Sequence, residues 1–156
     1  MMNKKGKLKQ IVIPKEQAVF WMDEYGCWCN IHGPFKHKKI IQYFNASIDR
    51  DVNGYFVAQE RDGLFEKVYF NYNITPIFAL DLLPGSPDRL LLNTGKVITL
   101  EEEHLFIKDD CLYLKQGDEW IKFSERVMFK LADRIKYDGN AYQVLKGATW
   151  HPIHEF

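Results

Sequence analysis

The sequence has few of the features that mark whole classes of protein. Its three cysteines, Cys27, Cys29 and Cys111, are too few and too irregularly spaced for a disulfide framework. No stretch approaches the roughly 18 consecutive apolar residues of a membrane span. The basic start is followed only by a short apolar run at 11–13, which Pro14 breaks, and a secretory signal needs a longer run. We therefore predict a cytoplasmic protein with free thiols and no membrane partner.

An excess of charge of one sign is also missing. The 21 lysines and arginines balance the 21 aspartates and glutamates, whereas duplex-binding proteins usually carry a basic excess that contacts phosphates. Lysines cluster locally at 4–9 and at 36–39, a pattern typical of a solvated tail and a solvated helix face. Nucleic acid is therefore a disfavoured partner. Single-stranded nucleic-acid binding through aromatic faces and these lysines stays open as a second alternative.

The motifs of common catalytic sites are absent as well. The sequence contains no Gly-x-Ser-x-Gly elbow and no glycine-rich phosphate loop of the dinucleotide or P-loop type. A nucleophile needs an adjacent base and an orienting third group, and Cys111 lies in an ordinary alternating strand pattern. We expect no cofactor and no catalytic residues, and the balance is against an enzyme.

Two patterns that contain histidine support an alternative function, that of a small metal-dependent or hydrolytic enzyme. Cys27, Cys29 and His32 carry ligand types that zinc prefers, although zinc-binding cysteine pairs usually have two residues between them. His151 and His154 would share a face only on a helix, and Pro152 argues against that helix. The interpretation of the thiols as small buried hydrophobes is favoured. A small metal-dependent or hydrolytic enzyme using either set is the first alternative.

Aromatic residues are abundant, at 15% of the chain, and they suit half-buried strands. Alternating apolar residues between turn signals predict hairpins in both halves of the chain. Asn53-Gly54 is the strongest signal, because it supplies the positive φ angles of a tight turn. The near-continuous apolar run 77–83 predicts a central strand, and Pro84-Gly85-Ser86-Pro87 predicts a boundary after it.

Helical spacing appears twice. Ile40, Ile41, Phe44 and Ile48 would share one face of a helix that begins near Lys36. Val127, Leu131 and Ile135, with Met128 and Ala132 beside them, predict a second helix, and Ser124 is well placed to cap it. We therefore predict an α+β fold of antiparallel hairpins with two main helices.

The order of these elements suggests an internal repeat. In each half a hairpin returns through a tryptophan, a helix follows, and a glycine turn leads into further strands. We predict a flexible basic segment at 1–18 and two similar hairpin-helix-hairpin lobes at 19–87 and 88–156. One such unit buries little apolar surface by itself, so we expect the two lobes to pack together.

Several motifs in this order carry a family resemblance. They are Gly26-Cys27-Trp28, Asp51-Val52-Asn53-Gly54-Tyr55-Phe56-Val57, Glu66-Lys67-Val68-Tyr69-Phe70-Asn71, Thr75-Pro76-Ile77-Phe78, Leu112-Tyr113-Leu114-Lys115 and Trp150-His151-Pro152-Ile153. Taken together they resemble a bacterial family known as domain of unknown function 1285. The lysine-rich start and the turn after Trp28 depart from the family pattern. The resemblance implies a two-lobed, repeated α+β fold with no established activity, and it transfers no functional residue.

The candidate site residues are therefore aromatic. Trp28, Tyr55, Trp120 and Trp150 are the weak candidates for ligand binding, and Cys27, Cys29 and His32 are the weak candidates for a metal. A tryptophan more often fills a core than a groove. The function we predict is a non-enzymatic module that binds a protein or a small molecule, such as an adaptor in a bacterial regulatory pathway. The ligand, the partner and the oligomeric state stay open.

Overall fold

The computed structural model describes residues 9–156. The chain divides into two compact units, unit 1 (Met1–Pro76) and unit 2 (Ile77–Phe156). Strands dominate both units, and the described residues contain two α-helices, α1 in unit 1 and α2 in unit 2. The predicted class, α+β with a predominance of sheet, is confirmed at this level. Each unit is described by itself.

Unit 1 contains two sheets. One has the strand order β1-β7-β6-β5, with β1 parallel to β7, and the other has the antiparallel order β2-β3-β4. Its elements are β1 (Lys9–Ile13), a 3-10 turn (Lys15–Gln17), β2 (Phe20–Met22), β3 (Trp28–Asn30), β4 (Gly33–Pro34), α1 (Lys38–Ala46), β5 (Ile48–Asp51), β6 (Gly54–Arg61) and β7 (Leu64–Tyr69).

The predicted hairpin at Asn53-Gly54 is confirmed as the β5–β6 turn. The Asp51 carboxylate accepts a hydrogen bond of 2.9 Å from the Asn53 N–H, which is the Asx pattern that favours such turns. Gly54 has a φ of +118°, a backbone conformation that disfavours any residue with a Cβ. The turn is thus fixed by its local sequence.

The segment 1–18, predicted to be flexible, contains a strand in its described part, and its flexibility stays a prediction. Residues 1–8 lie outside the described residues, but Lys9–Ile13 is a strand whose Ile13 pairs with Val68 of β7. The lysine-rich composition predicted a solvated segment. In the structure Ile11 and Ile13 alternate with exposed residues, and this alternation suits a strand that pairs with β7.

Helix α1 is shorter than its apolar spacing predicted. It ends at Ala46, and Ile48 begins β5 instead of extending the helical face. Ile40 is 46% exposed, so the inward face depends on Ile41 and Phe44. Phe44 meets Phe20 edge-on, with 5.0 Å between ring centroids.

Unit 2 is built around a nine-stranded mixed sheet. The strand order is β10-β9-β8-β13-β12-β11-β16-β15-β14, with parallel pairing at β8–β13 and at β11–β16. Its elements are β8 (Phe78–Leu83), β9 (Arg89–Leu92), β10 (Val97–Thr99), a 3-10 turn (Glu102–His104), β11 (Leu105–Lys108), β12 (Cys111–Gln116), β13 (Glu119–Phe123), α2 (Glu125–Leu131), a 3-10 turn (Ala132–Arg134), β14 (Ile135–Tyr137), β15 (Tyr142–Lys146) and β16 (Thr149–Glu155).

Helix α2 begins where its sequence predicted. The Ser124 side chain accepts a hydrogen bond of 3.3 Å from the Val127 N–H, which satisfies a free donor of the first turn. Val127 and Leu131 are fully buried against β8 and β13. The predicted extension to Ile135 is wrong, because the chain tightens into a 3-10 turn after Leu131 and Ile135 begins β14.

The run 77–83 is the central strand that its apolar sequence predicted, because β8 pairs with β9 on one side and β13 on the other. Segment 84–87, the predicted boundary, connects β8 to β9 inside unit 2, and the division between units falls at Pro76. The sheets of the two units differ in strand number and order. An internal repeat therefore stays a prediction.

Candidate functional site

A pocket of about 270 Å³ opens in unit 1 at the end of β7. Its polar lining comes from three places: the β5–β6 turn, the residues that follow β7, and the 3-10 turn after β1. The lining residues are Lys15, Asn53, Gly54, Tyr55, Tyr69, Phe70, Asn71 and Tyr72. The lining residues carry amide, phenol and ammonium groups together with aromatic rings, which is the composition of a site for a small polar ligand.

A hydrogen-bond network holds one wall of this pocket in place. Asp51 Oδ2 accepts from the Tyr69 hydroxyl at 2.6 Å and from Lys67 Nζ at 2.7 Å. These bonds, first the one from Lys67, hold the pKa of Asp51 down to about 2. The bond to Asp51 is also the main reason why the pKa of Tyr69 is raised, against a hydrogen bond from the Asn53 side chain. The network ties β5 to β7 and orients the Tyr69 ring.

A second wall consists of two tyrosines. The rings of Tyr55 and Tyr72 meet edge to face, with 5.5 Å between centroids and an interplanar angle of 87°. Burial raises the pKa of Tyr72, opposed by the positive charge of Arg50 and by a hydrogen bond with the Tyr55 backbone. The Arg50 guanidinium carbon lies 5.8 Å from the Tyr55 ring centroid. The raised pKa keeps the Tyr72 phenol a neutral hydrogen-bonding group at neutral pH.

Lys15 reaches the pocket because of the parallel pairing of β1 with β7. Ile13 pairs with Val68, so the chain beyond Ile13 runs beside the chain beyond Val68. Pro14 then starts the 3-10 turn, closed by a hydrogen bond from the Gln17 N–H to its carbonyl. This turn places Lys15 at the pocket mouth, and the lysine forms no ion pair with any residue between 9 and 156.

Of the four aromatic candidates, Tyr55 lies in this pocket and Trp28 lies in the core of unit 1. The Trp28 ring is 1% exposed, its Nε1 donates to Asn45 Oδ1 at 2.7 Å, and its ring centroid is 4.9 Å from that of Phe70. A ring so enclosed has no face to offer a ligand. Its role is to fill the core.

Trp120 and Trp150 are half-buried residues of unit 2. The Trp120 ring stacks on Phe156 at 4.1 Å, and the Lys115 ammonium lies 5.0 Å from its centroid. The Lys136 ammonium lies 4.1 Å from the Trp150 ring centroid. Each indole is therefore already engaged by a lysine of its own sheet.

The metal candidates do not converge. Cys29 is buried and its thiol donates towards the Cys27 carbonyl at 3.6 Å, whereas Cys27 is exposed and His32 lies on the exposed β3–β4 turn. Burial, with the nearby Asp23 carboxylate, raises the pKa of both thiols. Within residues 9–156, no three His, Cys, Asp or Glu side chains are grouped so that they could hold a metal ion.

The histidines near the end of the chain lie on a strand, as Pro152 suggested. His151 pairs with Val144 in β15, and His154 is exposed beside Phe106 at 6.4 Å between rings. Residues three apart on a strand face opposite sides. A second pocket of about 260 Å³ borders His154 and Glu155 in unit 2, together with Tyr137 and Tyr142.

Sequence reasoning missed most of the unit 1 pocket. It identified Tyr55 alone, whereas Lys15, Tyr69 and Tyr72 come together only through strand pairing. A signal was present at the end of β7 and directly after it, where Val68 and Phe70 alternate with the polar residues Tyr69 and Asn71. That alternation predicts a polar face directly after the Asn-Gly hairpin.

No protein-family model matches the sequence, and no curated protein matches it. In the described part of the chain, the helices are too short and too polar to cross a bilayer. Two solved structures share the fold. A DUF1285 family protein from Silicibacter pomeroyi DSS-3 superposes with a TM-score of 0.62 at 11% identity, over 94% of this chain and 84% of that one. Another from Shewanella baltica OS155 superposes with a TM-score of 0.53 at 14% identity, over 76% of this chain and 94% of that one.

These likenesses establish a DUF1285-like fold, as the order of sequence motifs indicated. The names of both structures give a family whose function is unknown, and neither name states an activity, a ligand or a partner. The function of this chain therefore has to be argued from its own residues.

Proposed function

We propose that this protein is a non-enzymatic binding module whose unit 1 pocket takes up a small polar ligand. The observation that carries the proposal is the convergence of Asn53, Asn71 and the Tyr55 and Tyr72 phenols around one cavity of about 270 Å³. That volume is slightly below the range of drug-sized sites, so it suits a ligand of metabolite size.

Pre-organisation of the walls supports binding over chemistry. Tyr69 is fixed by its 2.6 Å hydrogen bond to Asp51, and Asp51 is itself neutralised by Lys67. The Tyr69 and Tyr72 phenols have raised pKa values, which makes them poor bases and nucleophiles at neutral pH. A wall whose groups are already oriented loses little freedom when a ligand binds.

Binding at this pocket is tested by titrating isotope-labelled protein with a panel of small polar compounds, including sugars, amino acids and organic acids. We expect the side-chain amide signals of Asn53 and Asn71 to shift with at least one compound. The Asn71→Ala variant should weaken that binding, whereas Asn73→Ala should leave it unchanged, because Asn73 is exposed outside the pocket lining. A panel that moves no pocket signal would refute the proposal.

The role of the module in the cell follows as a proposal of the same kind. Ligand uptake without turnover fits an adaptor in a bacterial regulatory pathway, in which the loaded and empty states differ in affinity for a partner. A cytoplasmic location and a shared origin of the two units remain part of this proposal. A pull-down from the source organism, with and without the panel compound that binds, would identify the partner.

A second candidate, single-stranded nucleic-acid binding, draws on one face of the unit 2 sheet. There Lys108 and Lys115 lie within 5.3 Å and 5.0 Å of the Phe156 and Trp120 ring centroids. Aromatic rings beside lysines suit stacked bases and phosphates. Quenching of Trp120 fluorescence by an oligonucleotide, lost steeply with salt, would favour this candidate. A flat titration would remove it.

A further inference from the structure

We propose that the unit 1 pocket selects a small anion that carries a flat ring, with Lys15 as the charge partner of its carboxylate or phosphate group. The inference rests on the proposed function, because it names the ligand class of the same pocket. Three features carry it: the charge of the lining, the arrangement of the aromatic rings, and the volume.

The charge of the pocket is one-sided. Among the described residues that line it, Lys15 is basic and none is acidic. The nearest carboxylate of the network, Asp51, already accepts from Lys67 and Tyr69 with the same oxygen. An anion that enters therefore meets the positive charge of Lys15, which the hydrogen-bond network of Asp51 does not neutralise.

The donors around Lys15 fit an anion as well. A carboxylate or phosphate accepts hydrogen bonds and donates none when ionised, so it is best served by amides, phenols and ammonium groups. Asn53, Asn71 and Tyr72 provide N–H and O–H donors in the same cavity. Charge-assisted hydrogen bonds of this kind are the stronger ones, which gives the anion an advantage over a neutral ligand of the same shape.

The rings define where an aromatic part of the ligand would lie. The half-buried Tyr72 ring meets the Tyr55 ring at 87°, whereas the Phe70 ring is 1% exposed and belongs to the core of unit 1. The Tyr72 ring is therefore held at a fixed angle, and a flat ligand ring can pack edge to face against its exposed part. The cavity of about 270 Å³ accommodates one such ring with its acidic group.

Three probes of nearly the same shape separate the effect of the charge from the effect of the ring. Benzoate and phenyl phosphate are anions, and benzamide is a neutral amide. Each is titrated at millimolar concentration into the labelled full chain, and the shifts of the Asn53 and Asn71 side-chain amides give its dissociation constant. We expect benzoate or phenyl phosphate to bind roughly three- to tenfold more tightly than benzamide, the range of one partly exposed ion pair with charge-assisted hydrogen bonds. Raised salt should narrow that ratio.

The matched variants are Lys15→Gln and Lys39→Gln, which remove the same charge inside and outside the pocket. Lys39 lies on α1, away from the pocket lining. Lys15→Gln should reduce the preference for the anion to the part that the neutral donors contribute while benzamide binds as before, and Lys39→Gln should keep the full preference. Both lysines are exposed, so both variants should fold, and an unchanged amide spectrum checks this.

The outcomes separate the inference from the proposed function. Equal affinity for benzamide and both anions, or a preference that Lys15→Gln does not reduce, overturns the anion inference while binding at the pocket stands. A preference for phenyl phosphate over benzoate assigns the charge to a phosphate, and the reverse assigns it to a carboxylate. If none of the three probes shifts a pocket signal while another panel compound does, the inference of a ring-bearing anion is refuted and the proposed binding function stands. If no compound does, both proposals fall.

Discussion

The hydroxyl of Tyr69 lies 2.6 Å from Asp51 Oδ2, and this hydrogen bond fastens the β5–β6 turn to the end of β7. Asp51 therefore serves two purposes, because its other carboxylate oxygen caps the Asn53 N–H inside the turn. The motif Asp-x-Asn-Gly thus shapes both the hairpin and one wall of the pocket. A residue that appeared to be an ordinary turn former also organises the candidate site.

Replacing Tyr69 by Phe removes this hydrogen bond and leaves the ring. We expect the melting temperature to fall by a few degrees, since a hydrogen bond to a charged acceptor is lost while the Lys67–Asp51 pair is kept. The matched control is Tyr137→Phe. Tyr137 is exposed and its hydroxyl donates to the Gly139 carbonyl at 3.2 Å, so its loss should be close to neutral. Equal melting temperatures for both variants would contradict a structural role for the Asp51 bond.

Much of the fold could be predicted because its signals are local. Ser124 and the spacing of Val127 and Leu131 specify a helix start whatever surrounds them. Asn53-Gly54 likewise specifies its own hairpin. The ends of the helices were harder to predict, because α1 and α2 both end shortly before a strand. These strands begin at Ile48 and at Ile135. Tertiary pairing overrode helical spacing at both places.

The candidate site could not be predicted to the same extent, because it depends on contacts distant in sequence. Lys15 and Tyr69 line the same pocket only because Lys9–Ile13 pairs in parallel with β7, more than fifty residues later. Nothing near Lys15 in the sequence marks that register. Tyr55 and Trp28 were both chosen as aromatic candidates, and whereas Tyr55 lines the pocket, Trp28 is enclosed by Phe20, Phe44 and Phe70. The size of an aromatic ring alone does not show whether the ring lines a pocket or fills the core.

Asp81 gives a prediction of pH dependence. Its carboxylate accepts from Lys130 Nζ at 2.6 Å and from Arg126 at 3.1 Å, which fastens α2 to β8. These bonds, first the one from Lys130, lower the pKa of Asp81 to about 2, from an ordinary value of 3.8. A lowered folded-state pKa contributes stability that is present above the unfolded-state pKa and is lost as the pH falls through the folded-state pKa.

The free energy of unfolding should therefore decrease as the pH is lowered from about 4 to about 2. Asp51, whose pKa is also about 2, contributes with the same sign. Urea unfolding of the native chain and of Asp81→Asn at pH 7, 4 and 2 measures the contribution of Asp81. We expect the variant to be less stable at pH 7 and to lose less stability on acidification. Parallel pH profiles would show that Asp81 contributes nothing to the acid sensitivity.

Thiol reactivity should follow burial. Cys27 is exposed and Cys29 is 7% exposed, so an aromatic disulfide reagent should modify Cys27 first in the folded chain. Because burial and Asp23 raise the pKa of both thiols, modification should be slow at pH 7 and should accelerate as the pH rises above about 8.5, the usual thiol pKa. In a Cys111→Ser background, which removes the half-buried third thiol, Cys27→Ser removes the fast phase, and an unfolded sample provides the control. Rapid modification of Cys29 at pH 7 would contradict its place in the core.

Helix α2 offers a matched pair of apolar side chains on opposite faces. Leu131 is 1% exposed and packs beneath the helix, whereas Phe129, two residues earlier, is 83% exposed. Leu131→Ala should lower the free energy of unfolding by about 2–5 kcal/mol, the cost of a core cavity. Phe129→Ala should change it by less than about 0.5 kcal/mol, because the ring already contacts water. Urea unfolding of both variants measures the difference. If Phe129→Ala were as costly as Leu131→Ala, other apolar surface would have to cover the outer face of α2. That outcome would contradict the exposure of Phe129.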